Sequence, residues 1–285
     1  MSKKQILKVG IVNFINTSGI YVPWQDMESE RRNAVAPWQV IEGPPSLLNR
    51  LLKANEIDVG LISSYAYGLD IQNYFMLPNL GISAVGAVGS VFLITRKAYG
   101  LHEMADKRIL LTSQSATSVN LLRLILERFY QVIPRYECGN FTDFEADIGF
   151  DGYLAIGDEA LQLKKHRPDL YFFDLAEIWM EKTGLPFVFA VWAVRSNTWE
   201  RMPDAVRALH HHILTCYRNG LRELEQISAR VASRAELTAR ECLNYLRGIH
   251  LHFDSAHMQA LTGFFQLLHE SFDYPFVPDL HIIQI

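Results

Sequence analysis

The residues best suited to chemistry in this 285-residue chain are neutral hydroxyls and amides standing where strand patterns give way to helix patterns. They are Asn13 and Asn16 after the first apolar strand, Ser63 and Ser64 after the third, and Thr117 and Ser118 ahead of a long apolar-faced helix. Asp158 joins them after the strand-like run 153–156. In an open α/β sheet, ligands collect beyond the carboxyl ends of the strands. A helix that starts there turns free backbone N–H groups and a positive dipole end toward the ligand, which suits a carboxylate. The same residue types are preferred helix N-caps, so each one alone reads equally well as a cap. Their recurrence at successive junctions points to a small carboxylate-bearing molecule held in a cleft.

Other chemistries find less support. His210, His211 and His212 are consecutive, and consecutive helical residues point about 100° apart, so they do not converge on one ion. His250 and His252 flank Leu251 and would share a strand face, with no third ligand nearby. No paired-cysteine or HExxH pattern occurs, and no metal is expected. Gly86-Ala87-Val88-Gly89 looks like a dinucleotide loop, but the following residues continue as a strand where that loop requires a helix. With no Gly-x-Ser-x-Gly elbow either, the chain is expected to work without a cofactor.

The elements that must position these groups alternate through the first two thirds. Strand patterns lie at 7–12, 38–42, 58–62, 108–111, 153–156 and 170–173. Helix patterns lie at 46–54, 119–130 and 175–182, the first opened by Pro44-Pro45. Such alternation belongs to α/β proteins whose strands are buried between helices. Two apolar runs, 86–95 and 185–194, bracket a middle block of roughly 90 residues. Each reads either as a core strand or as an extended crossing between two lobes. On the second reading, crossings near 88–96 and 186–195 divide the chain into one lobe of 1–92 plus 190–285 and another of 93–189. From Pro203 onward the patterns are helical, over 203–226, 236–246 and 255–271.

Composition sets limits on partners. Hydrophobic residues make up 49% and charged residues 20%, with a formal net charge of -4. That is a globular balance with no basic excess to meet a phosphate backbone, so nucleic acid is not an expected partner. Lys164-Lys165-His166-Arg167 reads as a helix C-terminus. No continuous apolar stretch reaches the roughly 18–20 residues of a membrane span. The lysines before the first apolar run are not followed by a small-residue cleavage site. Cys138, Cys216 and Cys242 are odd in number and far apart, as in a reducing compartment. A cytoplasmic protein is the expectation; the oligomeric state is left open.

Several motifs together carry a resemblance. They are Val9-Gly10-Ile11-Val12-Asn13-Phe14-Ile15-Asn16, the run 44–67 (PPSLLNRLLKANEIDVGLISSYAY) and Gly86-Ala87-Val88-Gly89-Ser90-Val91. They continue in Ser115-Ala116-Thr117-Ser118, Ile156-Gly157-Asp158-Glu159-Ala160-Leu161 and the run 185–195 (LPFVFAVWAVR). In order and spacing the chain resembles the chorismate dehydratases of the futalosine-dependent menaquinone pathway, over most of its first 195 residues. The resemblance implies a two-lobed type II periplasmic-binding-protein-like α/β fold, with the ligand cleft between the lobes and a helical C-terminal third. It also implies loss of water from chorismate to give 3-[(1-carboxyvinyl)oxy]benzoate, with no cofactor. It makes Asn16 and Ser90 the candidate catalytic groups, and Ser63, Ser64, Thr117, Ser118 and Asp158 the candidate substrate contacts. The chain departs from the family after Asn16, where Thr17–Trp24 replaces the usual proline-containing continuation. A sister family on the same fold makes 1,4-dihydroxy-6-naphthoate from cyclic dehypoxanthinylfutalosine and carries a catalytic histidine at the strand end that here reads Ile156-Gly157-Asp158. A cytoplasmic protein that binds a carboxylate without turnover is the third reading.

Overall fold

Buried apolar strands flanked by helices build two separate sheets. A computed structural model of the chain describes residues 6–30, 37–277 and 279–285; the lysine-bearing start at 1–5 lies outside them. The first segment runs β1 (Leu7–Ile11), α1 (Ser18–Glu30), β2 (Trp38–Glu42), α2 (Pro45–Lys53), β3 (Val59–Ser63), α3 (Ser64–Leu69) and β4 (Tyr74–Ala84). The middle runs β5 (Val91–Thr95), β6 (Arg108–Thr112), α4 (Ala116–Arg123), β7 (Arg135–Gly139), α5 (Phe141–Ala146), β8 (Gly152–Ile156), α6 (Gly157–His166), β9 (Tyr171–Asp174) and α7 (Leu175–Thr183). The chain ends with β10 (Phe187–Arg195), α8 (Ser196–Arg201), α9 (Pro203–Arg222), α10 (Leu224–Val231), α11 (Ala239–Arg247), β11 (His250–His252) and α12 (Ser255–Ser271).

The first sheet has the order β11-β4-β10-β3-β1-β2 and the second β7-β6-β8-β5-β9. Strands β2, β1 and β3 are parallel, as their helical crossovers require, and β10 runs antiparallel between β3 and β4. Alternation along the strands sorts the second sheet's side chains onto two faces. Val91, Leu93, Ile109, Leu111, Leu154 and Ile156 join the large core shared with the first sheet. Phe92, Ile94, Leu110, Tyr153 and Ala155 form a separate core on the outer face.

Each of the two apolar runs is part turn and part strand. The run 86–95 is not one extended segment: Gly86 and Gly89 take φ of +78° and +74°, and only Val91–Thr95 is strand. The chain changes sheet within 85–90, and returns within 184–186, where Gly184 ends α7 at φ +71°. The boundaries 92/93 and 189/190 therefore fall inside β5 and β10, because each strand belongs whole to its own sheet.

The altered segment Thr17–Trp24 supplies the last residue of a 3₁₀ turn, Ile15–Thr17, and then the first two turns of α1. The Thr17 hydroxyl bonds the carbonyls of Val12 and Phe14 at 2.7 and 2.8 Å and fixes the turn. Helix α1 then crosses α9 so closely that a Cβ on Gly220 would lie 1.8 Å from the Gly19 carbonyl oxygen. Of the three consecutive histidines, His210 contacts the Pro78 carbonyl at 3.1 Å and His212 lies 4.6 Å from both the Trp24 and Trp38 rings. Both serve the packing of α9. Among the described residues no helix is long and apolar enough to cross a membrane, and no three His, Cys, Asp or Glu side chains are grouped to hold a metal.

Candidate active site

Four of the seven sequence-derived site residues meet at one cavity between the two sheets. Asn16 arrives on the turn after β1, Ser63 at the end of β3, Ser90 just before β5 and Ser118 in the first turn of α4. Ser115 joins them, and Val12, Phe14, Ile82, Val91, Ile156 and Phe189 supply apolar wall. The cavity measures about 50 Å³, and Asn16 also borders a neighbouring cavity of about 270 Å³ lined by α9, α11 and β11. The described lining residues of the first cavity carry hydroxyls and one amide and no ionisable side chain.

Local physics explains how each group is aimed. Ser63 caps α3, its Oγ accepting the Ala66 N–H at 3.2 Å and a bond from Asn49 Nδ2 at 3.1 Å. Ser115 caps α4: its Oγ accepts the Ser118 N–H at 3.1 Å and donates to Ser118 Oγ at 3.0 Å. That leaves the Ser118 hydrogen free to point onward. Among the described residues the buried Asn16 amide oxygen has no hydrogen-bond partner, which is costly in a folded protein unless a ligand completes it. Ser90 sits on a turn gripped from several sides. The Asp174 carboxylate accepts the Val88 and Gly89 N–H groups at 3.1 and 2.7 Å while also capping α7 through Ala176 and Glu177. Burial pushes the Asp174 carboxyl above its ordinary range, and these four N–H groups pull it back. The Ser90 carbonyl accepts the Gly157 N–H at 2.8 Å.

Three expected contacts do not reach this wall. Ser64 donates to the Val188 carbonyl at 2.7 Å and is fully buried against β10. Thr117 accepts the Tyr65 N–H at 3.0 Å, joining α4 to α3. Asp158 accepts the Ile15 N–H at 2.9 Å and lies 3.4 Å from Arg234, which also donates to the Asn13 carbonyl at 2.6 Å. Burial raises the Asp158 carboxyl, with the Ile15 N–H and Arg234 opposing. These three residues tie elements together instead of lining the cavity. For Thr117 and Ser118 the reason is angular, since neighbours on a helix diverge by about 100°; Ser63 and Ser64 part because Ser63 ends β3 in extended backbone while Ser64 opens α3. The capping role of Ser115 depends on where α4 starts, which the local sequence pattern does not fix.

Two facing sheets, a switch of sheet between β4 and β5, and a cavity beyond the strand ends define a periplasmic-binding-protein-like α/β protein. Solved structures agree on the fold. The alkanesulfonate-binding protein of Xanthomonas axonopodis pv. citri superposes with a TM-score of 0.72 at 13% identity, covering 98% of both chains. A protein from Archaeoglobus fulgidus gives 0.73 at 15%, covering 95% of this chain and 98% of that one. A menaquinone biosynthesis family profile matches residues 7–270. The chorismate dehydratase of Thermus thermophilus is 32% identical over 257 residues, covering 85% of this chain and 91% of that protein. That of Campylobacter jejuni is 33% identical over 149 residues, about half of each chain. The chain belongs to the menaquinone biosynthesis family.

Proposed function

We propose that this chain dehydrates chorismate to 3-[(1-carboxyvinyl)oxy]benzoate, in the cytoplasm and on the futalosine-dependent route to menaquinone. The observation that carries the reading is the 32% identity to a chorismate dehydratase across 85% of the chain. The neutral cavity agrees with it. Loss of the C3 proton and the C4 hydroxide makes the ring aromatic, so the reaction has its own driving force. The protein must orient the substrate, help one proton move and stabilise a departing hydroxide. Asn16 and Ser90 donate to the departing oxygen. Ser118, oriented by Ser115, and the first N–H groups of α4 hold a carboxylate, and Ser63 contacts the substrate from the first sheet. The substrate's own enolpyruvyl carboxylate takes the C3 proton, since the cavity wall offers hydroxyls and an amide but no base. The C4–O bond breaks, and the hydroxide takes the proton lifted from C3 to leave as water. The two sheets act as lobes, one built from the chain up to Ala84 and from Phe187 onward, the other from 91 to 183.

The sister reaction has no support at the strand end where its histidine would stand. Gly157 takes φ +63°, a conformation side chains rarely adopt, and a Cβ there would lie 3.1 Å from the Phe14 ring. The free cysteines Cys138, Cys216 and Cys242 fit a reducing compartment. Incubating the purified protein with chorismate and following the aromatic product by absorbance tests the proposal. Binding of chorismate without turnover would make the chain a carboxylate-binding protein instead.

A further inference from the structure

Tyr245 touches a cavity-lining residue, Ser90, from outside every motif recognised in the sequence. It stands on α11 in the C-terminal third, and its hydroxyl donates to Ser90 Oγ at 2.9 Å across 155 residues of chain. The edge of its ring packs 3.6 Å from where a Cβ on Gly89 would sit, so the phenol rests on the turn that carries Ser90. Helix α11 is itself fastened to the second sheet's side. Lys165 of α6 bonds the Glu236 carbonyl at 2.7 Å and the Glu241 carboxylate at 2.9 Å.

A serine hydroxyl has one hydrogen and two acceptor lone pairs. When Tyr245 donates to Ser90 Oγ, the serine hydrogen is left to point elsewhere, and the direction open to it is the cavity. A hydroxyl that accepts one hydrogen bond also becomes a stronger donor of the next. We propose that Tyr245 is a positioning residue for dehydration: it fixes the Ser90 hydroxyl as a donor into the cavity and strengthens it as negative charge grows on the departing C4 oxygen. The inference rests on the chain's being a chorismate dehydratase. Burial holds the Tyr245 phenol well above the usual tyrosine range, so it stays protonated and gives up no proton in the cycle.

The test is a double-mutant cycle of Tyr245→Phe and Ser90→Ala, with steady-state kinetics on chorismate and a thermal melt for each protein. The phenylalanine ring preserves the contact with Gly89 and removes only the hydroxyl. The expected result is a kcat lowered roughly 5–30-fold by Tyr245→Phe, the scale of one hydrogen bond, with KM and the melting temperature little changed. In the Ser90→Ala background the same substitution should change kcat by less than about twofold, because the two hydroxyls act as one unit. Independent, multiplying losses would overturn the proposal, as would an unchanged kcat. So would a fall in melting temperature that accounts for the lost activity. A wild-type protein that leaves chorismate untouched would overturn the dehydratase reading and this inference with it, and is distinguished by appearing before any substitution is made.

Discussion

The Thr117 hydroxyl accepts the backbone N–H of Tyr65 at 3.0 Å, while Ser118, one residue further on, faces the cavity. The two neighbours thus do different work, and substitution separates them. Ser118→Ala should weaken chorismate binding by about 1–3 kcal/mol, the scale of a hydrogen bond to a charged group. Thr117→Val should lower unfolding stability by about 1–3 kcal/mol by stranding the Tyr65 N–H. Calorimetric binding and urea denaturation of both variants read the two effects. The reverse assignment, with Thr117→Val losing affinity at full stability, would place Thr117 on the substrate.

Asn16 and Ser90 should matter for turnover more than for affinity. Their contacts strengthen as charge develops on the leaving oxygen, so each alanine substitution should lower kcat about 10²–10³-fold with a smaller change in KM. Steady-state kinetics on chorismate decide this. Near-normal kcat in both variants would move the chemistry to other groups.

Acid should loosen the C-terminal helices through Glu241. Its carboxyl is held down at about 2, first by the Thr238 backbone N–H and then by Lys165 of α6. A depressed folded-state value means that the stabilisation is complete above the unfolded value near 4.5 and is lost as pH falls toward about 2. Wild type should therefore be more stable than Glu241→Gln at pH 6, and denaturation midpoints of the two should converge between about pH 4.5 and 2. A gap that stays constant across that range would show that the charge on Glu241 contributes nothing.

Much of the first 200 residues was legible because their contacts are local and periodic. Strand β2 falls where its pattern placed it, and α2, β6 and α7 lie within a residue or two of theirs. Helix α1 left no clear signal because Gly19 and an internal Pro23 interrupt it, and its stability comes from burial against α9. Strand β4 was hidden by Pro78 and by Asn79 at φ +60°. The cavity wall was half legible: a junction serine advertises itself, but which of two adjacent hydroxyls faces inward depends on where the helix starts. Tyr245 and Arg234 were not legible at all. They meet Ser90 and Asp158 across 155 and 76 residues, a separation that no local pattern records.

The most direct test of the dehydratase reading uses chorismate carrying deuterium at C3. The account predicts one-to-one conversion to 3-[(1-carboxyvinyl)oxy]benzoate and water, with the deuterium absent from the product because the C3 hydrogen leaves as a proton. Chorismate recovered unchanged from the folded protein, or a product that keeps the label, would contradict it.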